Sequence, residues 1–598
     1  MSRRKKRCIR DPHSPQSTRR EYLWIVLGIL VVGVALYAPA LSGPFVFDDL
    51  VQPYSRTAPH LQSIGEWISI VRPLLMISFW LNYRIAGVQP ELYHLFNLLC
   101  HLLNSLLIFF ITGRLLKLER TQPAEGAAGR DRLLSLFAAL LFLVHPLQTE
   151  SVSYIVSRSE TLTACFLLSA YLIFLNRAGL NRAGAHMRWG ASLAIAGLFV
   201  LAGATKEIAV ALVPLIILTD WFFSLGGVRR NWRLYGLLGA AAIGASAIAF
   251  LVLKDAQSAG FAMQGVNWYE YLFTQWRSLW VYLRLFLLPV GQTIDHDFPL
   301  SRSLFAHGSW AALLALVAGL AAVVLRRRSW GLISFGILAW ITLLLPTSSV
   351  VPLHDTLVEH RMYLPFLGLV AASVGFAARL RVSSRALILG GVVLLGALSA
   401  ATYYRNTLWG EPVLLWREAI RESPQKARPY GNLASVYLAR GNCREASREF
   451  ANAPMGWQPD YYAMVTWGMA ESCLANYDRA VSLFQQAFAL VGGTWEHTPS
   501  AAKAKIEMLI GVALLKKGDE SGSIAALDRA VKLDPALDMA YAYRGSWKQH
   551  NSNYVEAIED YQRALELNPR NPMARQALAS LLQRPGAATP PFQFKPLR

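Results

Sequence analysis

The chain has 598 residues, 54% hydrophobic and 16% charged, with a positive mean hydropathy. No soluble protein of this length needs so much apolar surface, so most of it must face lipid. The net charge of +20 sits in short basic stretches between apolar runs, a placement that suits an anionic membrane surface and argues against nucleic acid as a partner.

Five cysteines without CxxC or Cys/His spacing exclude a zinc site or a disulfide framework. Arg3, Arg4, Lys5, Lys6 and Arg7 precede an apolar run from Tyr22 to Leu41. That run is longer than a signal h-region and lacks a small-x-small exit site, so it reads as an uncleaved anchor behind a cytoplasmic basic tail, 1–21. Ten further apolar runs fall near 93–113, 133–147, 161–176, 189–204, 207–225, 234–253, 309–325, 330–346, 363–380 and 385–404. Lipid cannot satisfy open backbone groups, so each run is expected to be a helix.

Basic turns set the orientation. Arg114/Lys117, Arg177/Arg182/Arg188, Arg229/Arg230, Arg326-Arg327-Arg328 and Arg379/Arg381/Arg385 are expected on the cytoplasmic side. Residues 268–290 break the alternation, since a crossing there would move the triple arginine to the wrong face. With Arg277 and Arg284 inside it, this segment is expected to be re-entrant or interfacial, and 67–88 an amphipathic helix on the outer surface. Eleven crossings then put the C-terminus outside.

Past Tyr404 a repeat replaces the apolar runs. Residues 427–459 carry Tyr430, Leu433, Ala434, Tyr437, Ala446, Phe450 and Ala453, and the next unit Trp467, Gly468, Ala480, Phe484 and Ala487, so the last small residue recurs after 34 positions. Gly511, Leu527, Ala530 and Pro535 are followed by Gly545, Tyr561, Ala564 and Pro569, again with a period of 34. This is the tetratricopeptide pattern, in which small residues let paired helices approach and large ones fill the gap. The expected organisation is all-α: a transmembrane bundle over 22–404, a connector at 405–425, and four repeats with a capping helix over 426–583. A disordered Pro-rich tail at 584–598 ends it. Cys443 and Cys473 fall where the first two repeats should touch. They read either as a bridge permitted in an oxidising compartment, closing a loop of about 30 residues worth about 3 kcal/mol, or as two buried free thiols.

On this topology the polar groups collect at the outer face. They are Asp48, Asp49 and Arg72; His94, Asn97, His101 and Asn104 on one face of a helix; and His145, Glu150, Tyr154, Arg158 and Glu160. Lys206-Glu207, Asp295-His296-Asp297, and His354, Asp355, Glu359, His360 and Arg361 complete the set. Each has a plainer reading beside the functional one. Asp48-Asp49 could cap a helix, the histidine–asparagine stripe could be interhelical hydrogen bonding, and the arginines could pair with Glu160 and Glu359. Lys206-Glu207 could be an interface ion pair, and Asp295-His296-Asp297 a partial metal set. Costly ionisable groups gathered at one membrane face favour a site. Carboxylates can serve as general bases toward an acceptor hydroxyl, and arginine can hold a phosphate leaving group bidentately. There is no Gly-rich phosphate loop, Ser/His/Asp order or HExxH, so an outer-face site suits a lipid-linked donor arriving within the bilayer.

Phe45-Val46-Phe47-Asp48-Asp49, Arg72-Pro73-Leu74, Tyr93-His94-Leu95-Phe96-Asn97 with His101, His145-Pro146 through Glu150 and Arg158, Lys206-Glu207, and Glu359-His360-Arg361-Met362-Tyr363-Leu364-Pro365 follow in order ahead of the repeats. In this order they resemble the transmembrane and tetratricopeptide-repeat O-mannosyltransferases and their bacterial relatives, of the GT-C superfamily. The resemblance implies an inverting glycosyltransferase that moves a sugar from a polyprenyl-phosphate donor to a protein hydroxyl. It implies Asp48 or Asp49 as the catalytic carboxylate and Arg158 and Arg361, with Lys206, at the donor phosphate. Arg72, His94, Asn97, His101, His145, Glu150, Glu207, Glu359 and His360 would line the site, with a divalent metal left open. The setting expected is a bacterial inner membrane with the repeats in the periplasm, binding the acceptor protein or neighbouring factors. Two competing readings stand beside it: a membrane-anchored scaffold without enzymatic activity, for which Asp48-Asp49 need not be acidic, and a ligase or polymerase of lipid-linked oligosaccharide.

Overall fold

The structure, a computed structural model, describes residues 15–55, 63–68, 72–120, 127–180, 187–253, 260, 263, 265–491 and 499–582. Most of the basic tail and the stretch 584–598 lie outside these. No β-strand occurs among the described residues, and the chain divides into two compact units, Met1–Glu422 and Ser423–Arg598.

The first unit runs α1 (Pro15–Leu41), α2 (Ile64–Ile68), α3 (Pro73–Ala86), α4 (Glu91–Glu119), α5 (Ala127–Val144), α6 (Thr149–Ser153), α7 (Arg158–Leu180), α8 (Trp189–Gly203) and α9 (Leu212–Phe223). It continues with α10 (Gly227–Leu253), α11 (Trp268–Leu287), α12 (Ser309–Leu325), α13 (Arg327–Trp330), α14 (Leu332–Leu344), α15 (Phe366–Arg379), α16 (Ser384–Gly410) and α17 (Pro412–Glu422). Every one of the eleven apolar runs is therefore helical. Five described helices are long and apolar enough to cross a membrane alone: Arg20–Leu41, Glu91–Glu119, Ile155–Arg177, Ala306–Leu325 and Ser384–Gly410. The helix of α5 passes the same test only when taken together with Pro146–Ser153, across a 54° bend that marks either a broken span or a re-entrant loop, while Trp189–Gly203, Leu332–Leu344 and Phe366–Arg379 are apolar but shorter. Apolar length in sequence overstates helix length because turns take part of it: run 207–225 opens with a 3-10 turn at Glu207–Ala211 before α9 begins.

Interior side chains of α4, α5 and α7, such as Ile108, Ile111, Ala138, Leu143, Leu168 and Tyr171, form one core. Helices α14 and α15 approach until backbones touch. A Cβ on Gly336 would stand 2.4 Å from the Ala372 nitrogen, and one on Gly368 2.3 Å from the Trp340 nitrogen, the use small residues have between membrane helices. At the end carrying the basic turns, Arg379 pairs with Glu119 at 2.8 Å and Arg130 donates to the carbonyls of Ala377, Ala378 and Leu380 that close α15. Cations thus meet the negative end of a helix there. Segment 268–290 is the amphipathic α11, burying Tyr271, Ser278, Tyr282 and Leu285 and exposing Trp268, Trp280 and Leu287.

One boundary is corrected. Residues 405–422, expected as a connector, belong to the first unit: α16 runs on to Gly410, and Arg405, Asn406, Trp409, Leu415 and Trp416 are buried. The amphipathic α17 of this stretch packs Trp416 against Phe47.

The second unit holds α18 (Arg428–Ala439), α19 (Cys443–Asn452), α20 (Tyr461–Cys473), α21 (Tyr477–Leu490), α22 (Pro499–Lys517), α23 (Glu520–Leu533), α24 (Asp538–His550), α25 (Tyr554–Leu567) and α26 (Pro572–Leu582). These are four helix pairs and a closing helix, with the repeated glycines placed as the pattern requires. A Cβ on Gly468 would meet the Phe484 ring at 2.5 Å, and one on Gly545 the Tyr561 ring at 3.0 Å. Cys443 and Cys473 are joined in a disulfide with Cα atoms 6.1 Å apart, linking α19 to α20. That arrangement excludes the free-thiol alternative.

Candidate functional site

Residues 145–160, the connection from α5 to α7, form a hub on which Asp48, Asn97, Lys206 and His360 dock. The chain turns there through short helical pieces, which leaves backbone groups for distant side chains to satisfy. The Asn97 amide nitrogen donates to the carbonyls of Val152, Tyr154 and Ile155 at 3.2–3.3 Å, and Arg158 Nε donates to Asn97 Oδ1 at 2.9 Å.

The paired aspartates separate. Asp49 is fully buried, its Oδ1 accepting from the Tyr54 hydroxyl at 3.0 Å and the Val156 N–H at 2.8 Å, and its Oδ2 from the Val46 N–H at 3.3 Å. Burial outweighs these bonds and pushes its carboxyl up to about 7. Asp48 is exposed, and its backbone N–H donates to the Tyr154 hydroxyl at 2.9 Å. Phe47, just before it, takes a φ of 52°, its ring packed against Tyr154 and Trp416. Strain of this kind, of order 1–3 kcal/mol, persists where surroundings over-determine it and gathers at functional sites.

At the far end of the hub, Lys206 Nζ lies 2.5 Å from Glu160 Oε1 and 3.4 Å from Ser159 Oγ. Beside it Arg72, also left-handed with φ 69°, grips Glu207 bidentately at 2.9 and 2.8 Å. Burial alone would lift Glu207, but Arg72 holds its carboxyl below the ordinary value. This pair stays partly exposed, with 35% and 46% of the side chains accessible.

Glu359, His360 and Arg361 fan out to three partners. Burial would raise the Glu359 carboxyl, yet His296, Arg405 and Gln292 together hold it below its usual range. Its oxygens accept from the Thr293 N–H at 2.9 Å, Gln292 Nε2 at 2.6 Å and His296 Nε2 at 3.0 Å. Glu150 receives His360 Nδ1 at 2.6 Å and the N–H groups of Glu359 and His360 at 3.1 and 3.2 Å. Arg361 is buried and donates to the Asp355 carbonyl at 2.5 Å and the Tyr271 hydroxyl at 3.2 Å.

Several expected site residues prove structural. Arg158 is fully buried and also donates to the Ser78 carbonyl at 3.1 Å and the Tyr93 carbonyl at 3.1 Å. Its guanidinium lies 4.3 Å from the Phe79 ring and 4.4 Å from that of Phe96. Caged this way it has no face for a phosphate, so the expected donor contact is corrected to a staple between α3, α4 and α7. His94 bonds the Gly43 carbonyl at 3.0 Å, while His101 contacts the Tyr363 hydroxyl at 2.9 Å and the Leu143 carbonyl at 3.2 Å. With Asn97, these make the α4 stripe interhelical hydrogen bonding. His145 bonds the Phe286 carbonyl at 2.9 Å and stacks on that ring. Among the described residues no group of three His, Cys, Asp or Glu could hold a metal ion; His296 serves Glu359.

Below the hub, an apolar cavity of about 790 Å³ opens between α5, α11, α15 and α16, lined by Leu140, Phe286, Phe376, Leu394 and Leu398 with His145. Arg405 on α16 was missed by sequence reasoning. Its one signal in the sequence is an arginine that directly follows the last apolar run, 385–404.

The sequence is 24% identical over 75% of its length to the protein O-mannosyl-transferase F38B6.6 of Caenorhabditis elegans, covering 65% of that protein. It is 24% identical over 80% of its length to Tmtc3 of Drosophila melanogaster and 23% over 91% to TMTC3 of Homo sapiens, both likewise protein O-mannosyl-transferases. The chain is similar to the TMTC-type protein O-mannosyltransferases. It spans 59% and 64% of the length of these latter two relatives. A tetratricopeptide-repeat family model matches residues 466–538. Among solved structures, MamA resembles 28% of this chain at 17% identity with a TM-score of 0.24, covering 92% of that chain. Cut9–Hcn1 resembles 75% of it at 15% identity with a TM-score of 0.27, covering 89% of that chain. TMTC-like similarity thus covers both the helical membrane unit and the repeats.

Proposed function

We propose that the protein is a GT-C-type membrane glycosyltransferase, transferring a sugar from a polyprenyl-phosphate donor to a protein hydroxyl on the outer side of the membrane. The observation that carries this reading is the convergence of Asp48, Lys206 and His360 on the single connection 145–160. The names of the relatives make mannose the first sugar to test and protein the first acceptor.

In the step itself, the acceptor oxygen attacks the anomeric carbon while the bond to the phosphate oxygen breaks. The acceptor proton passes to the Asp48 carboxylate, and polyprenyl phosphate leaves with the bonding pair, inverting the centre. Asp48 suits this role better than Asp49, because Asp48 is exposed and Asp49 is fully buried. Lys206 and Arg72 are cations held by Glu160 and Glu207, and they add positive field to the side of the hub on which the phosphate's charge develops. The repeats would receive the acceptor protein, and their Cys443–Cys473 bridge supports an oxidising, non-cytoplasmic compartment. A bacterial inner membrane with periplasmic repeats is the setting we propose.

The test is a comparison of hexose-modified extracytoplasmic proteins in cells carrying the wild type, Asp48→Asn, or no copy. Sites present only with the wild type are expected. An identical set of modified sites in all three strains would leave the scaffold reading in its place.

A further inference from the structure

One face of α16 carries Leu387, Gly391, Leu394, Leu398, Thr402, Arg405 and Trp409, in steps of four, three, four, four, three and four. At helical spacing these share a single stripe. Its lower part, Leu387 through Leu398, lines the apolar cavity. Its upper part ends in hydrogen-bond donors that are not used. Arg405 is 5% exposed and donates from Nη1 to the Gln292 carbonyl at 3.2 Å. Its Nε and Nη2, and the Trp409 Nε1 one turn further on, are buried with no hydrogen-bond partner among the described residues. A neighbouring acid, Glu359, does not meet them, because its oxygens are taken by Thr293, His296 and Gln292. Buried guanidinium N–H groups without acceptors are costly, and the planar fork that carries them matches a phosphate.

We propose that this stripe is the seat of the lipid-linked donor, with the polyprenyl chain in the cavity and its phosphate on Arg405 and Trp409. The assignment rests on the glycosyltransferase reading and adds to it where the donor binds. An apolar floor continued along the same helical face by unpaired N–H groups describes an amphiphile with an anionic head. A free aqueous anion has no use for the floor, and a neutral lipid none for the donors. Trp409 also stacks on Tyr154 at 5.7 Å, the residue whose hydroxyl accepts from the Asp48 N–H. The phosphate end of the stripe is thereby tied to the proposed base.

The full chain in detergent, examined by native mass spectrometry, tests this with undecaprenyl phosphate, the unphosphorylated polyprenol and phosphatidylglycerol as probes. Wild type should retain undecaprenyl phosphate, Arg405→Gln should weaken it at least tenfold and leave the polyprenol unchanged, and Arg405→Lys should recover part. Gly391→Trp fills the cavity, since a Cβ there meets Phe137 at 3.7 Å, and should abolish binding of both polyprenyl probes. Should Arg405→Gln fail to fold, Trp409→Phe, which removes one N–H, should still weaken the phosphate probe several-fold. Unchanged affinity in Arg405→Gln or Trp409→Phe overturns the assignment, as does displacement by an equal amount of phosphatidylglycerol. If wild type binds no polyprenyl phosphate, the donor reading falls with it. If Asp48→Asn abolishes transfer while Arg405→Gln binds and transfers normally, only the seat is wrong.

Discussion

A 3-10 turn places successive side chains about 120° apart, so the neighbours Asp48 and Asp49 on Phe47–Val51 meet opposite environments. Asp48→Asn is expected to reduce transfer at least a hundredfold with little change in thermal stability, measured on purified protein with a lipid-phosphate sugar donor. Asp49→Asn replaces an oxygen that accepts the Val46 N–H and should cost about 1–3 kcal/mol of stability. The pH dependence has a definite sign. Because burial raises Asp49 to about 7, the folded state holds this proton more tightly than the unfolded chain. Its contribution is present below the ordinary carboxyl value of about 4 and lost as pH rises to about 7. The stability gap between wild type and Asp49→Asn should therefore narrow as pH climbs through that window, and a gap independent of pH would contradict the assignment. Arg158→Ala strips donors from the carbonyls of Ser78 and Tyr93. We expect loss of folded protein, at about 1–3 kcal/mol for each buried group left unpaired, with donor affinity unchanged in what survives.

Among the elements, α14 and α15 depend on glycine more than on any large side chain. Gly336 and Gly368 face each other across the pair, and each Cβ would fall within 2.5 Å of backbone atoms of the other helix. Backbone cannot swing aside as a side-chain tip can, so Gly368→Leu should force the helices apart and cost at least the 1–3 kcal/mol typical of overpacking. A size-exclusion profile matching wild type, with equal melting temperature, would show that the contact is softer than described. This pair also sets the site, because the chain entering α15 carries Glu359, His360 and Arg361 to their partners. Apolar periodicity and small residues made these helices readable in the sequence. The bend after α5 was not readable, since His145-Pro146 looks like a helix end whether the chain then leaves the bundle or turns back into it.

At the scale of the molecule, the repeats and the membrane unit are separately built, and their compartment is the question that joins them. The Cys443–Cys473 bridge closes a loop of 30 residues, worth about 3 kcal/mol by chain entropy. Cys443→Ser should lower the melting temperature of the repeats, and wild type from cells should change mobility on reduction while the variant does not. A reporter fused after Arg598 should be active only outside the cytoplasm. Cytoplasmic activity would overturn the outer placement and return 268–290 as a crossing.

What the sequence determined by itself was whatever depends on local pattern: eleven apolar helices, a period of 34 in the repeats, and the small set of ionisable residues too costly to sit beside lipid by accident. Hydrophobic period and charge are properties of neighbouring residues, so they can be read without a fold. Burial is not such a property. Only tertiary packing decided that Asp48 is accessible and Asp49 is not, that Arg158 is enclosed by Phe79, Phe96 and Asn97, and that Arg405 keeps unpaired donors above an apolar cavity. Each of these turns on partners drawn from segments far apart in the chain, and the energy of a charge is set by those partners.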